Sequence, residues 1–115
     1  MKSHKWSDMW VVPGGHIEIG ETTEDALKRE TKEETNLDIA HPEFICVMEF
    51  INGKEFHDTR HMLFLNYRVT STSSEVVLNS EGQEYGWFGK EEVLTLPLNA
   101  YTRKTIEENP TKIFK

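Results

Sequence analysis

The chain has 115 residues, of which 37% are hydrophobic, enough to bury one core but not two. We therefore expect a single domain over residues 1–115. Its 13 Lys and Arg against 20 Asp and Glu give a net charge of -7, which repels nucleic acid backbones and acidic membranes unless a cation intervenes. The chain has no apolar run of about 18 residues and no signal-peptide stretch. The single cysteine, Cys46, excludes an intrachain disulfide and fits a reducing compartment, so we expect a cytoplasmic protein that binds neither nucleic acid nor membranes.

The N-terminal third contains two predicted strands separated by a turn. Met9–Val12 is short and apolar, and Pro13-Gly14-Gly15 stops it. His16–Ile19 alternates polar and apolar residues, which predicts a strand with one buried face, and Gly20 ends it. The two glycines of the turn allow the backbone to approach a ligand closely.

A helix is predicted from about Thr23 to Thr35. Thr22, with Asp25 three residues later, resembles a capping box at its start. Asn36 is a suitable end because Asn tolerates the left-handed conformation better than most residues.

A hairpin is predicted in the middle of the chain. Leu37–Ile39 is a short strand, His41-Pro42 a break, and Phe44–Ile51 a buried strand leading to the turn signal Asn52-Gly53. Residues His61–Val69 are largely apolar on both faces, which predicts a central strand covered on both sides.

The last part of the chain predicts short strands at Glu75–Leu78 and Tyr85–Phe88, then a short helix at Lys90–Leu94. Asn99 caps a final helix over Ala100–Glu108, which Asn109-Pro110 ends. Interleaved strands and helices predict an α/β fold, or α+β in some schemes, with a mixed β-sheet between helices.

Three acids of the predicted helix share its apolar side. On a helical wheel that side carries Ala26, Leu27, Glu30, Glu33 and Glu34. Carboxylates at this spacing repel one another, and uncompensated burial would raise the pKa of each. Mg²⁺, bound through carboxylate, water and substrate phosphate oxygens, would remove both penalties. The alternative is a solvated acidic face balanced by neighbouring Lys and Arg residues.

The glycines and acids together resemble the box of the Nudix (MutT-type) hydrolases. That box reads Gly, five residues, Glu, seven residues, then Arg-Glu-aliphatic-any-Glu-Glu-any-Gly-aliphatic. The matching residues are Gly15, Glu21, Arg29, Glu30, Glu33, Glu34 and Leu37. Thr31 replaces the aliphatic residue and Asn36 the last glycine, and both changes look tolerable. Trp10 before the glycines and Trp87-Phe88 near the end extend the resemblance over most of the chain.

The resemblance implies an α/β/α sandwich that hydrolyses a diphosphate linkage in a nucleoside diphosphate joined to another group. It implies that Mg²⁺ or Mn²⁺ is bound by Glu30, Glu33, Glu34 and the Gly15 carbonyl. Glu21 would support the loop and helix or a metal-bound water, beside Gly14, and Arg29 would orient a box glutamate. Glu34 is the first candidate for the general base and Glu33 the second.

Substrate contacts outside the box are predicted from residue type alone. Candidates for base stacking are Trp6, Trp10, Tyr85, Trp87 and Phe88, with core packing as the alternative for each. Candidates for phosphate binding are His16, Arg60 and His61, with a surface or edge role as the alternative. Glu84 or Glu81 could supply a further acid near the metal. A nucleoside triphosphate is the default substrate because features of other subfamilies are absent.

Two rival functions and one structural expectation complete the hypothesis. A non-catalytic nucleotide-binding or regulatory module is disfavoured because all box acids are retained. A prenyl diphosphate isomerase is disfavoured because no paired Cys and Glu constellation is evident. The family resemblance also implies a strand before the Gly-Gly segment, of which residues 1–3 could be the tail. We therefore expect the chain to lack an N-terminal strand, which leaves a sheet edge open and favours a homodimer or strand exchange.

Overall fold

A computed structural model describes residues 1–3, 9–51, 61–80 and 82–114. The strands in chain order are β1 (Lys2–Ser3), β2 (Met9–Trp10), β3 (Ile39–Ile51), β4 (His61–Ser71) and β5 (Gly82–Glu84). The helices are α1 (Thr23–Thr35), α2 (Lys90–Val93), α3 (Ala100–Glu108) and α4 (Pro110–Ile113). The chain contains both strands and helices, in agreement with the predicted fold class. No helix in the described ranges is long and apolar enough to cross a membrane.

The strands form two small sheets. β1 lies between β2 and β5 in the first sheet, and β3 pairs with β4 in the second, all antiparallel. Trp10 and Leu98 form an isolated parallel bridge outside the two sheets. Within the described ranges, this bridge is the only parallel pairing of the predicted mixed sheet. Residues 2–3 therefore form a strand, as the prediction for the N-terminal tail allowed.

Helix α1 begins and ends where the sequence predicts. The Thr22 hydroxyl accepts a hydrogen bond from the Asp25 amide at 3.1 Å, which satisfies one of the free donors at the helix start. At the other end Asn36 adopts a left-handed φ of 61°, and its amide donates to the Lys32 carbonyl at 2.9 Å. The Asn99 cap of α3 is also confirmed, because its side chain accepts from the Thr102 amide at 2.8 Å.

The predicted strand over His16–Ile19 is wrong. This segment is a loop whose polar backbone groups bond to box residues instead of to another strand: the His16 carbonyl accepts from Arg29, and the Glu18 amide donates to Glu21. Ile17 and Ile19 are exposed. The alternation in this segment therefore does not reflect a buried face.

Predictions for the hairpin are only partly confirmed. The break at His41-Pro42 is a register shift inside the continuous strand β3, with His41 at a φ of 52°. The strand β4 is not covered on both sides, because Leu63 is 65% exposed and, within the described ranges, β4 pairs only with β3. The predicted turn at Asn52-Gly53 lies outside the described residues.

Near the C-terminal end the predicted strands at Glu75–Leu78 and Tyr85–Phe88 are not regular strands. Val77 instead donates its amide to the Thr35 carbonyl at the end of α1, at 3.0 Å. The regular strand in this region is β5, which lies between the two predicted segments in sequence and pairs with β1.

The core lies between β2, the β3–β4 hairpin and α3. Val11 and Phe50 are buried, and Met62, Phe64 and Tyr101 pack around them. The rings of Phe64 and Tyr101 stack with centroids 4.0 Å apart. Burial of Tyr101 raises the pKa of its phenol to about 12. This core holds the hairpin against α3.

Candidate active site

Arg29 joins the loop before α1 to the acids on the helix. Its Nε donates to Glu21 Oε2 at 2.7 Å and its Nη2 donates to Glu21 Oε1 at 2.9 Å, a two-pronged pair. The same Nη2 donates to the His16 carbonyl at 3.0 Å. Four residues of loop separate the partners His16 and Glu21, so a single guanidinium fixes both ends of this loop.

The remaining nitrogen of Arg29 faces two acids of α1. Nη1 donates to Glu30 Oε1 at 2.9 Å and to Glu33 Oε2 at 3.3 Å. Glu18 lies further away, at 3.8 Å from the same nitrogen. One positive charge therefore offsets the repulsion among several carboxylates that lie close together in sequence.

The Arg29–Glu21 pair stays ionised over the whole physiological pH range. The hydrogen bonds from Arg29, together with that from the Glu18 amide, lower the pKa of Glu21 to about 2. The reciprocal bonds from Glu21 and Glu30 raise the pKa of Arg29 above its usual value. The clamp is therefore insensitive to pH near neutrality.

The three box acids differ in their burial. Glu34 is 4% exposed, and its Oε2 accepts a hydrogen bond from the Gly14 amide at 2.8 Å. Glu30 is mostly buried, whereas the side chain of Glu33 is 55% exposed. The helical wheel placed all three acids on the apolar side, and the burial of Glu30 and Glu34 agrees with that placement, whereas Glu33 is half exposed.

The glycine turn presses against this acidic face. A Cβ atom at Gly15 would lie 2.2 Å from the carboxylate carbon of Glu30, whereas a Cβ atom at Gly14 would meet nothing within 4 Å. A side chain at position 15 would therefore have to displace the Glu30 carboxylate. At Gly14 the contribution to the site is its amide.

The donor set fits a divalent cation, although the carboxylates bond to other groups as they stand. Within the described ranges no three His, Cys, Asp or Glu side chains are grouped so as to hold a metal ion. The reason is visible in the contacts: Arg29 engages Glu30 and Glu33, and the Gly14 amide engages Glu34. Carboxylate and backbone carbonyl oxygens are nevertheless the ligands that Mg²⁺ accepts, and a second cation beside Arg29 would further reduce their mutual repulsion.

The aromatic candidates are in different environments. Trp10 packs edge to face against Phe88, with centroids 5.4 Å apart, which is the core-packing alternative. Trp87 is 60% exposed, and its indole Nε1 donates to the Ser74 carbonyl at 2.9 Å. Tyr85 is also exposed. Of these aromatics, Trp87 and Tyr85 therefore present the most accessible rings.

The polar candidates are also dispersed. Glu84 forms an ion pair with Lys2 of β1 at 3.4 Å, so its partner is a strand residue and not the acidic helix. His61 bonds to Glu49 at 2.6 Å across the β3–β4 hairpin, an edge role. His16 contributes its backbone carbonyl to Arg29. The predictions for Trp6, Arg60 and Glu81 lie outside the described residues.

One contact at the site has no signal in the sequence. The hydroxyls of Thr23 and Tyr67 lie 2.9 Å apart and join the first turn of α1 to β4. The two residues are 44 positions apart, and neither belongs to a recognisable motif. Only the packing of α1 over the hairpin shows that they meet.

The glycine turn, the arginine clamp and the acidic helix face together define a Nudix box. A sequence model of the NUDIX domain matches residues 1–108, so the chain belongs to the Nudix family and is a Nudix pyrophosphohydrolase.

Among characterised proteins it is similar to the nucleoside triphosphatase NudI of Escherichia coli K12 and of Escherichia coli O17:K52:H18 strain UMN026. Both are 34% identical to it over 103 residues, which cover 84% of this chain and 73% of the relative.

Proposed function

We propose that this Nudix domain hydrolyses a diphosphate linkage in a nucleoside triphosphate or a related nucleotide, using Mg²⁺ or Mn²⁺. The observation that carries this proposal is the clamp of Arg29, which holds Glu30 and Glu33 beside the glycine turn while Gly14 holds Glu34. Its similarity to a nucleoside triphosphatase supports the nucleotide class.

Nudix hydrolases use divalent cations, and in this chain the residues that would hold one are Glu30, Glu33, Glu34 and the Gly15 carbonyl. When bound, the cation neutralises phosphate oxygens and lowers the pKa of a bound water. The net charge of -7 makes such a cation more necessary, because a nucleotide is itself strongly anionic.

Glu34 is our first assignment for the proton acceptor. Burial keeps bulk water away from its carboxylate, and the Gly14 amide fixes the orientation of the carboxylate. Glu33 is the second assignment because its side chain is exposed and could reach a substrate water from the open side. Arg29 acts on the reaction only through the carboxylates that it positions.

Substrate selection rests on residues outside the clamp. The exposed indole of Trp87 is the better candidate for stacking on a base, since Trp10 already packs against Phe88. The chemistry that we propose needs no partner protein and no nucleic acid, although a homodimer is compatible with it. We place the enzyme in the cytoplasm, where nucleotides are abundant and the thiol of Cys46 would remain reduced.

A panel of nucleoside triphosphates and diphosphate-linked nucleotides tests the proposal. With Mg²⁺ present, the wild type should release phosphate or pyrophosphate, and a chelator should abolish release. Glu34→Gln and Glu33→Gln should lower kcat by roughly 100-fold or more, the range for loss of an acid or base. Glu24→Gln removes an equal charge from the first turn of the same helix and is the matched control. No turnover with any nucleotide would favour a non-catalytic nucleotide-binding module instead. Full turnover in both variants would reject the roles assigned to Glu33 and Glu34.

A further inference from the structure

The chain between β4 and β5 crosses the C-terminal end of α1, and we call residues 74–79 the crossing segment. The amide of Val77 donates to the Thr35 carbonyl at 3.0 Å, and the amide of Asn79 donates to the Glu34 carbonyl at 3.3 Å. The last carbonyls of a helix have no partner within the helix, so these two bonds satisfy groups that would otherwise need water or a cap. The crossing segment is therefore bonded to the turn that carries the box acid Glu34.

We propose that Trp87 is a positioning residue for Glu34 and acts through the crossing segment. The indole Nε1 of Trp87 donates to the Ser74 carbonyl at 2.9 Å, which closes a loop between residues 13 positions apart. The kinetic consequence rests on the proposed hydrolase function, whereas the structural link from Trp87 to α1 does not.

The two ends of the crossing segment are fixed by different means. At its end the Gly82 amide donates to the Asn79 carbonyl at 3.3 Å, and Gly82 belongs to β5, which pairs with β1. At its start the Ser74 carbonyl accepts the side-chain bond from Trp87. The end is thus continuous with a sheet, whereas the start depends on a bond from an indole. Loss of that bond should release the start of the segment.

The turn of α1 that receives these bonds is rigid. Glu34 and Thr35 are both buried. The Thr35 hydroxyl donates to the Thr31 carbonyl at 2.6 Å and accepts from the Leu37 amide at 3.3 Å, so this turn is bonded to the residues before and after it. The Glu34 carboxylate accepts from the Gly14 amide at 2.8 Å. A shift of the crossing segment would therefore reach this carboxylate through the backbone of Glu34 itself.

The exposure of Trp87 gives its two groups separate roles. The ring is exposed although its N–H is bonded to Ser74, so the ring can contact a substrate while the N–H holds the crossing segment. The side chain of Val77 is also exposed, and its backbone bond to α1, rather than burial of the side chain, holds residue 77. A phenylalanine at position 87 would provide a ring for stacking but no donor for Ser74.

The first measurement separates the indole N–H from the indole ring. Site-specific replacement of Trp87 by 3-benzothienylalanine puts sulfur in place of the N–H and leaves the shape of the ring almost unchanged. In NMR hydrogen exchange of the full chain without substrate, the amides of Val77, Asn79 and Gly14 should exchange about threefold to tenfold faster, the range for loss of one hydrogen bond. The amide of Ala26, which is bonded at the opposite end of α1, should exchange as in the wild type.

Steady-state kinetics on a nucleotide that the wild type hydrolyses is the second measurement. The replacement at Trp87 should lower kcat by about threefold to tenfold and keep KM within about twofold, because the ring is kept and Glu34 is displaced. Val77→Ala is the matched control, because it shortens an exposed side chain and keeps the amide that donates to Thr35. Val77→Pro removes that amide and should reproduce the loss in kcat.

Unchanged exchange at Asn79 and Gly14 would overturn the proposal, as would equal acceleration at Ala26, which would indicate general destabilisation. A raised KM with unchanged kcat would show that Trp87 contacts the substrate without positioning Glu34. If the wild type hydrolysed no nucleotide, the proposed function would fail, whereas hydrogen exchange would still decide whether Trp87 holds the last turn of α1. The isosteric replacement decides the question even if Val77→Pro fails to fold.

Discussion

Gly15 and Glu30 are in such close contact that any side chain at position 15 would displace the Glu30 carboxylate. A Cβ atom there would lie between 2.2 and 2.4 Å from all three atoms of the Glu30 carboxylate group. Gly15 and Glu30 are fifteen residues apart in sequence, yet they are effectively one structural unit. The spacing of the box is therefore a packing constraint as well as a chemical one.

Gly15→Ala should lower kcat/KM by roughly 100-fold, because it displaces the Glu30 carboxylate by an ångström or more. It should lower the free energy of unfolding by no more than about 1 kcal/mol, because the clashing atoms are the end of a flexible side chain that can move aside. The matched control is Gly14→Ala, which keeps the amide that bonds to Glu34 and adds a methyl group with nothing within 4 Å. Steady-state kinetics and urea unfolding of both variants measure the difference. Equal effects of the two substitutions would show that the Gly15–Glu30 contact does not constrain the site.

Arg29→Lys should lower kcat by roughly tenfold to hundredfold, the range for loss of a residue that orients metal ligands. Lysine keeps the charge but cannot make the two-pronged bond to Glu21 while also reaching the His16 carbonyl and Glu30. Lys32→Gln is the control, because among the described residues Lys32 pairs only with the exposed Asp38 and its own helix end. The kinetic loss should fall mainly on kcat and on the Mg²⁺ concentration needed for half activity. A loss confined to KM for the nucleotide would instead indicate direct substrate binding by Arg29.

The sequence predicted the box and α1 well because both depend on local chemistry. Cap residues, charge spacing and glycine positions act within a few turns of the chain, and Thr22, Asn36 and Glu34 all take the predicted positions. The loop at residues 16–19 was mispredicted because its alternation of polar and apolar residues resembles that of a strand. In the structure the His16 carbonyl accepts a hydrogen bond from Arg29 instead of pairing with another strand. The contact between Thr23 and Tyr67 depends on how distant segments pack, which periodicity does not encode.

Glu21→Gln should make the stability of the domain less dependent on pH between about 5 and 2. The folded-state pKa of Glu21, about 2, lies below its ordinary value of 4.5, chiefly because of the hydrogen bonds from Arg29. A depressed pKa stabilises the folded state above pH 4.5, and that contribution is lost as the pH falls toward 2. Urea unfolding of wild type and variant should therefore differ by a constant amount above pH 5 and converge toward pH 2. Glu24→Gln, on the exposed start of α1, is the control. A difference that stays constant down to pH 2.5 would contradict the assigned pKa.

Variants at position 36 test whether Asn in place of the box glycine lowers the stability of the domain. Its φ of 61° is left-handed, a conformation that glycine adopts freely and alanine does not. We expect Asn36→Gly to change the free energy of unfolding by no more than about 0.5 kcal/mol and Asn36→Ala to lower it by about 1 kcal/mol. Because this cap ends the turn that carries Glu33 and Glu34, Asn36→Ala should also lose activity on warming before it unfolds globally, through fraying of that turn. Activity and helix circular dichroism measured together over a temperature ramp check this expectation. If Asn36→Ala matches Asn36→Gly in both measurements, the left-handed cap does not stabilise the acidic end of the helix, and the order of Glu34 depends on its Gly14 contact instead.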